Sequence, residues 1–227
     1  MNAQTHQSDA FPRTTRTWIG DQLALGAIGR DEVNRHVMAI YSHPLRVYLL
    51  GSSCRTAGEP DEIINGFFAS RLDRSSFFDD WQDSGLRLRK WLINALHFHV
   101  KEQWREVRRH AGESMPDVVE DESTAHLEND LHRAWVDSLV RESFRAAAAS
   151  CLDSGLSDHW DIFVRHFVNV QAYADLCTDF DISPAQAAVM ARTAAIRFRT
   201  AVRDSIARDG VETGEIDSEI QSIMGRL

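Results

Sequence analysis

The sequence predicts an all-α fold in two small helical domains joined by an acidic linker, on three observations. Apolar residues recur at helical spacing through most of the 227 residues, and strand-like alternation is nearly absent. Helix-start signals punctuate the chain. Gly58-Glu59-Pro60-Asp61 reads as a turn leading into a helix with acids in its first turn. Asp181-Ile182-Ser183-Pro184 reads as a tight turn, with a capping serine and a proline at the first helical position. Residues 111–130 carry seven acids, no Lys or Arg, a glycine and a proline, the composition of a flexible linker. The expected division is therefore a first domain over 1–110, the linker over 111–130, a second domain over 131–208 and a tail helix in 209–227.

In chain order, the first third offers helices near 17–29, 31–52 and 60–73. Ser75–Gly85 mixes turn residues with aromatics and reads as a loop. A long helix follows over 86–110. Beyond the linker come helices near 130–153, 158–168, 171–180 and 184–208, and a short one near 215–225.

Composition narrows the function classes. Apolar residues make up 43% and charged residues 26%, enough for a real core. No stretch of eighteen apolar residues occurs, so no membrane span is expected, and the polar N-terminus lacks the apolar core of a secretion signal. Cys54, Cys151 and Cys177 are scattered, with no CxxC pair, as suits reduced thiols in a cytoplasmic protein. His97 and His99 are two apart and face different ways on a helix. No HExxH, zinc-spaced Cys/His cluster, glycine-rich phosphate loop or GxSxG elbow is present. The expectation is a non-enzymatic protein with no cofactor and no metal.

The net charge of −9 is unlike that of a free-standing DNA binder, but its distribution is uneven. Residues 87–109 hold seven Lys or Arg against two acids. Wound at 100° per residue, this helix puts Leu88, Trp91, Leu92, Ala95, Leu96 and His99 on one face. Arg87, Lys90, Asn94, Lys101, Arg105 and Arg108 form a stripe roughly opposite. Such a stripe, with Trp104 nearby, suits a nucleic-acid backbone, because cations displace counterions condensed on phosphates; an ordinary solvated face is the alternative. Residues 172–199 read as a helix-turn-helix. Leu176 and Phe180 pack inward from the first helix. The second places Ala187, Met190, Ala191, Ala194 and Phe198 on one face and Arg192, Arg199 and Arg203 on another, as a helix entering a major groove or a plain helical hairpin would.

Three separated stretches together resemble the sigma-70 family, in its small extracytoplasmic-function type and a planctomycete-like subgroup. Phe11-Pro12-Arg13-Thr14-Thr15-Arg16-Thr17-Trp18 is similar to that subgroup's N-terminal signature. Asp61-Glu62-Ile63-Ile64-Asn65-Gly66-Phe67-Phe68-Ala69-Ser70-Arg71-Leu72 resembles a helix of sigma region 2. Arg87 to Leu96, continuing through Glu102-Gln103-Trp104-Arg105, resembles the promoter-reading helix of that region. The helix-turn-helix falls where region 4 belongs, and Glu215 to Leu227 looks like the subgroup's C-terminal extension. The likeness covers nearly the whole chain in the right order.

The resemblance implies a sigma factor that directs core RNA polymerase to promoter DNA and assists melting of the −10 element. Glu62, Asn65 and Phe68 would dock on the beta-prime clamp of the polymerase, and its beta flap is a further implied contact. Phe78, Trp81 and Gln82 would line a loop that captures a flipped base. Arg87, Lys90, Asn94, Lys101, Arg105 and Arg108, with Gln186, Arg192, Arg199 and Arg203, would face DNA. An anti-sigma factor or other recruiting protein is a further implied partner. The chain departs from the family pattern at Asp181, where glycine is usual, at Ala188, where lysine is common, and by one residue inserted near Leu86. Two other readings stay open: a sigma-like adaptor that binds polymerase and is brought to DNA by another protein, and a homodimeric helix-turn-helix repressor.

Overall fold

Ten α-helices make up the computed structural model, which describes residues 18–111, 124–211 and 214–224, with no strand among them. They are α1 (Trp18–Leu23), α2 (Ala27–Gly51), α3 (Pro60–Leu72), α4 (Phe77–Ser84), α5 (Leu88–Ala111), α6 (Thr124–Asp153), α7 (Ser157–Phe163), α8 (Tyr173–Phe180), α9 (Pro184–Arg208) and α10 (Ile216–Met224). A 3-10 turn at Ser53–Thr56 follows α2, and a π turn at Val164–Val168 follows α7.

Local chemistry sets several boundaries. α3 opens on Pro60, whose missing N–H costs nothing at a helix start, and carries Asp61 and Glu62 in its first turn against the positive end of the dipole. α9 begins with a reciprocal capping box. Ser183 Oγ accepts from the Gln186 N–H at 3.3 Å, and Gln186 Oε1 accepts from the Ser183 N–H at 2.8 Å. α8 ends on Asp181 in the left-handed region (φ 50°, ψ 50°), which Asp tolerates better than most residues. The tight turn expected at 181–183 is therefore present. Val170 is also left-handed (φ 58°), a strained state for a β-branched residue, in the link between the π turn and α8.

α6 organises the packing: it lies along both α2 and α9. Its N-terminal half contributes Leu127, Leu131, Trp135 and Leu139 to one large core, together with residues of α1 to α5, Ile206 of α9 and Ile216 of α10. Its C-terminal half supplies Cys151, which packs with Phe163 and Ala194 in a smaller cluster. Ile162, Leu176, Ala187 and Ala191 close a third cluster beneath the α8–α9 hairpin. The small residues Ala187, Ala191 and Ala194 let α9 approach its neighbours closely. Two glycines sit where nothing else fits. A Cβ on Gly29 would lie 1.8 Å from the Gln22 carbonyl oxygen where α1 crosses α2, and one on Gly210 (φ 79°) would lie 2.8 Å from the Trp81 ring.

The structure corrects several expectations. The helix expected over 17–29 breaks at Gly26 (φ 73°), and α2 starts at Ala27, not at 31. The stretch read as a loop over 75–85 contains a helix, α4. Phe77, Phe78 and Trp81 share one face and bury together, Asp79 and Asp80 favour the helix start, and Gly85 (φ 65°) ends it. The helix expected over 158–168 stops at Phe163 and widens into the π turn. The linker expected over 111–130 overlaps α6 by residues 124–130, where Leu127 is buried; residues 112–123 lie outside the described residues. Packing does not divide at that point, because helices on both sides of it share the large core.

Candidate nucleic-acid interface

The two faces expected on the 87–109 helix are both present on α5. Leu88, Leu92, Leu96 and His99 are buried, and Trp91 and Ala95 pack partly buried against the same core. Arg87, Lys90 and Arg105 are exposed, and Asn94 and Lys101 are half-buried. The Arg108 side chain lies outside what the structure describes.

Neighbouring acids engage part of this stripe. Arg87 lies 3.3 Å from Glu219 and 3.7 Å from Glu215, at and just before the start of α10, and Lys90 pairs with Glu128 of α6. Arg89, one residue off the stripe, is more deeply held. Its guanidinium stacks 4.0 Å over the Trp135 ring, donates to Glu219 at 2.6 Å and donates to His132 Nδ1 at 2.9 Å. A guanidinium can only donate, so His132 Nδ1 is the accepting nitrogen. Burial acts to raise the Glu219 carboxyl, but its Arg89 hydrogen bond and the charges of Arg89 and Arg87 prevail and hold it below the usual range. Beside this group, Asp209 is buried and accepts from the Tyr41 hydroxyl at 2.5 Å. Burial pushes its carboxyl up to about 6, against the pull of Arg89. A cleft of about 240 Å³ opens there between the α4–α5 and α9–α10 links. Its lining mixes Arg87 and Arg89 with Asp209 and Glu215, so it presents no single charge to a ligand.

On the α8–α9 hairpin, Gln186, Arg192, Arg199 and Arg203 are all exposed on α9. The Gln186 side chain serves the capping box, and Arg203 is paired with Asp217 of α10. The remaining side chains at the tip, Ala185 and Ala188, are exposed and small. On α3, Glu62 and Asn65 are exposed one turn apart on a common face, but Phe68 is not with them. It is 4% exposed and packs on Phe67 inside the core, because its position follows the buried row of Ile64. The residues proposed for base capture are corrected likewise. Phe78 and Trp81 are core residues of α4, and the Trp81 indole donates to the Leu86 carbonyl at 2.8 Å; only Gln82 is exposed.

Sequence reasoning missed Arg89, Glu219, Glu128 and Asp209. Nothing local marks them: Arg89 and Glu219 stand 130 residues apart in the chain and meet only through the tertiary fold. Among the described residues, no helix is long and apolar enough to cross a membrane, and no group of three or more His, Cys, Asp or Glu side chains converges as a metal site. Compared with protein-family models, with curated proteins and with solved structures, the chain matches none of them.

Proposed function

We propose that this chain is a sigma-type subunit that binds core RNA polymerase and directs it to promoter DNA. The observation that supports this most is the α8–turn–α9 unit. It has a short first helix, a left-handed Asp181 at the turn and a capped second helix, placed in the chain where the resemblance calls for region 4. The cationic side of α5 supplies the second DNA-facing element, and exposed Glu62 and Asn65 supply the polymerase contact. For Phe78 or Trp81 to receive a base, α4 must leave the core, which the polymerase-bound state would have to drive. Two arginine-rich elements on an acidic chain suit a protein that meets DNA as part of a larger assembly, since net charge then matters less than its placement.

The test is reconstitution of the full chain with bacterial core polymerase, followed by mapping of transcript starts. Discrete new starts are expected. Glu62→Arg with Asn65→Ala should weaken core binding while the melting temperature stays within a degree or two, since both side chains are exposed. Unchanged core affinity in that variant, or no new starts with the wild type, counts against the reading.

A second reading is favoured by the tip of α9: the chain binds polymerase but reaches DNA through another protein. Gln186 is committed to its own helix cap and Ala185 and Ala188 carry no hydrogen-bonding groups, so base edges in a major groove would find few partners there.

A further inference from the structure

α9 carries an exposed row that the helix-turn-helix reading does not account for. Ala185, Val189, Arg192, Ile196, Arg199 and Arg203 follow one another at spacings of four and three, the repeat of a helix-packing seam, and all six are exposed. Val189 is 65% exposed and Ile196 53% exposed, two large aliphatics set two turns apart on a helix whose other face is already buried. Beside them, Thr193 and Thr200 turn their hydroxyls back onto the Val189 and Ile196 carbonyls (2.9 and 3.1 Å), so these residues add methyl surface rather than polarity. From Pro184 to Arg203 the helix contains four arginines and no acid, in a chain of net charge −9.

We propose that the outward face of α9 between Val189 and Thr200 is a docking surface for an acidic amphipathic helix of a partner protein. This rests on the second of the two readings above, recruitment through another protein, and names that partner's chemistry. Exposed aliphatics at this repeat are buried well by the apolar stripe of a facing helix, and arginines flanking them select acids at its edges. The chain already shows one such charge pair. Asp217 of α10, a short helix at the C-terminal end of α9, takes Arg203, the last residue of the row, while Ile216 and Ile220 of α10 pack with the large core and its Glu219 pairs with Arg87 and Arg89. An acidic partner helix would engage Arg192 and Arg199 in the same way further toward the N-terminus.

Two other occupants fit less well. A duplex supplies anions for Arg192 and Arg199, and a thymine methyl can meet a valine. However, Ile196 lies about 18 Å along the axis from the start of α9, beyond the N-terminal residues that reach base edges. A second copy of this face would bring arginines together with no acid on either row to receive them.

The test uses the full chain and a fluorescein-labelled synthetic peptide of about four heptads, with Leu at its a and d positions and Glu at e and g, followed by fluorescence anisotropy. A twin peptide with Lys at e and g and a labelled random-sequence duplex complete the set. The wild type should bind the acidic peptide saturably and the basic twin at least about tenfold more weakly. Val189→Asp with Ile196→Asp should lower acidic-peptide affinity by at least about tenfold while circular dichroism and melting temperature hold. Arg192→Glu with Arg199→Glu should reverse the preference toward the basic twin. Failure of the wild type to bind the acidic peptide, equal binding by the Asp variant, or no reversal in the Glu variant overturns the proposal. Duplex binding that survives the Asp variant, with no peptide binding, assigns the face to DNA. Polymerase binding without promoter affinity tests the recruitment reading separately, and neither peptide nor variant enters that measurement.

Discussion

Asp209 and His36 are buried titratable groups that pull stability in opposite directions as pH changes. Asp209 titrates at about 6, raised from 3.8 chiefly by burial. His36 titrates at about 4, lowered from 6.5 chiefly by burial and then by Arg208. Between these values the folded state holds more protons than the unfolded chain at Asp209 and fewer at His36. The Asp209 contribution is fully present below about pH 3.8 and is lost as pH rises through 6. The His36 contribution is present above about 6.5 and is lost as pH falls through 4. Each shift corresponds to an effect on the order of 3 kcal/mol. Relative to wild type, Asp209→Asn should therefore gain stability by up to that amount as pH rises from about 4 to about 6.5, and His36→Gln should lose it over the same range. Urea unfolding at several pH values checks both; curves parallel to wild type in either variant would contradict the burial argument. Neither residue stood out in the sequence, because a carboxylate or an imidazole is perturbed by what the fold packs around it.

α5 and α9 bear most of the functional reading, and they differ in what they offer. The α5 stripe carries charge along its length, with two of its cations engaged by acids of α6 and of the segment around α10. The α9 tip carries small side chains and a glutamine used for capping. Phosphate contacts position a protein, whereas base-edge contacts specify a sequence. If the chain acts at promoters, Lys90→Ala/Asn94→Ala/Lys101→Ala should reduce transcription further than Gln186→Ala/Arg192→Ala, and each lost phosphate contact should lower the salt slope of DNA binding by about one unit. Greater damage from the α9 variant would assign direct −35 reading to that helix. Both elements are legible in the sequence, α9 to its end residues, because capping serine, proline and helical periodicity are local. α4 is not. Phe77, Phe78 and Trp81 already have helix spacing, but serines, aspartates and a glycine around them imitate a loop.

α6 ties the molecule together, since its first half packs on α2 and its second half on α7 and α9. A boundary drawn by composition at 111–130 fell where acids are dense. Leu127, Leu131 and Trp135, spaced four apart beneath those acids, continue the helix into the large core. Leu131→Ala should cost about 2–5 kcal/mol, as for other buried leucines. Amide exchange should then accelerate in α2 and α9 together, because α6 supports both. Acceleration confined to α2 would mean that the halves open independently.

What the sequence alone determined is what neighbouring residues decide: the all-helical class, the capped start and the end of α9, the tight turn before it, the two faces of α5. These follow from periodicity, caps and backbone preference, all of which act within a few turns of helix. What only the tertiary structure decided is which side chains remain available. Phe68, Phe78 and Trp81 went into the core, Arg87 and Lys90 met acids from distant helices, and Val189 and Ile196 stayed exposed. The reason is physical: burial and charge pairing depend on which helices come together, and those contacts join residues up to 168 positions apart, as at Tyr41 and Asp209.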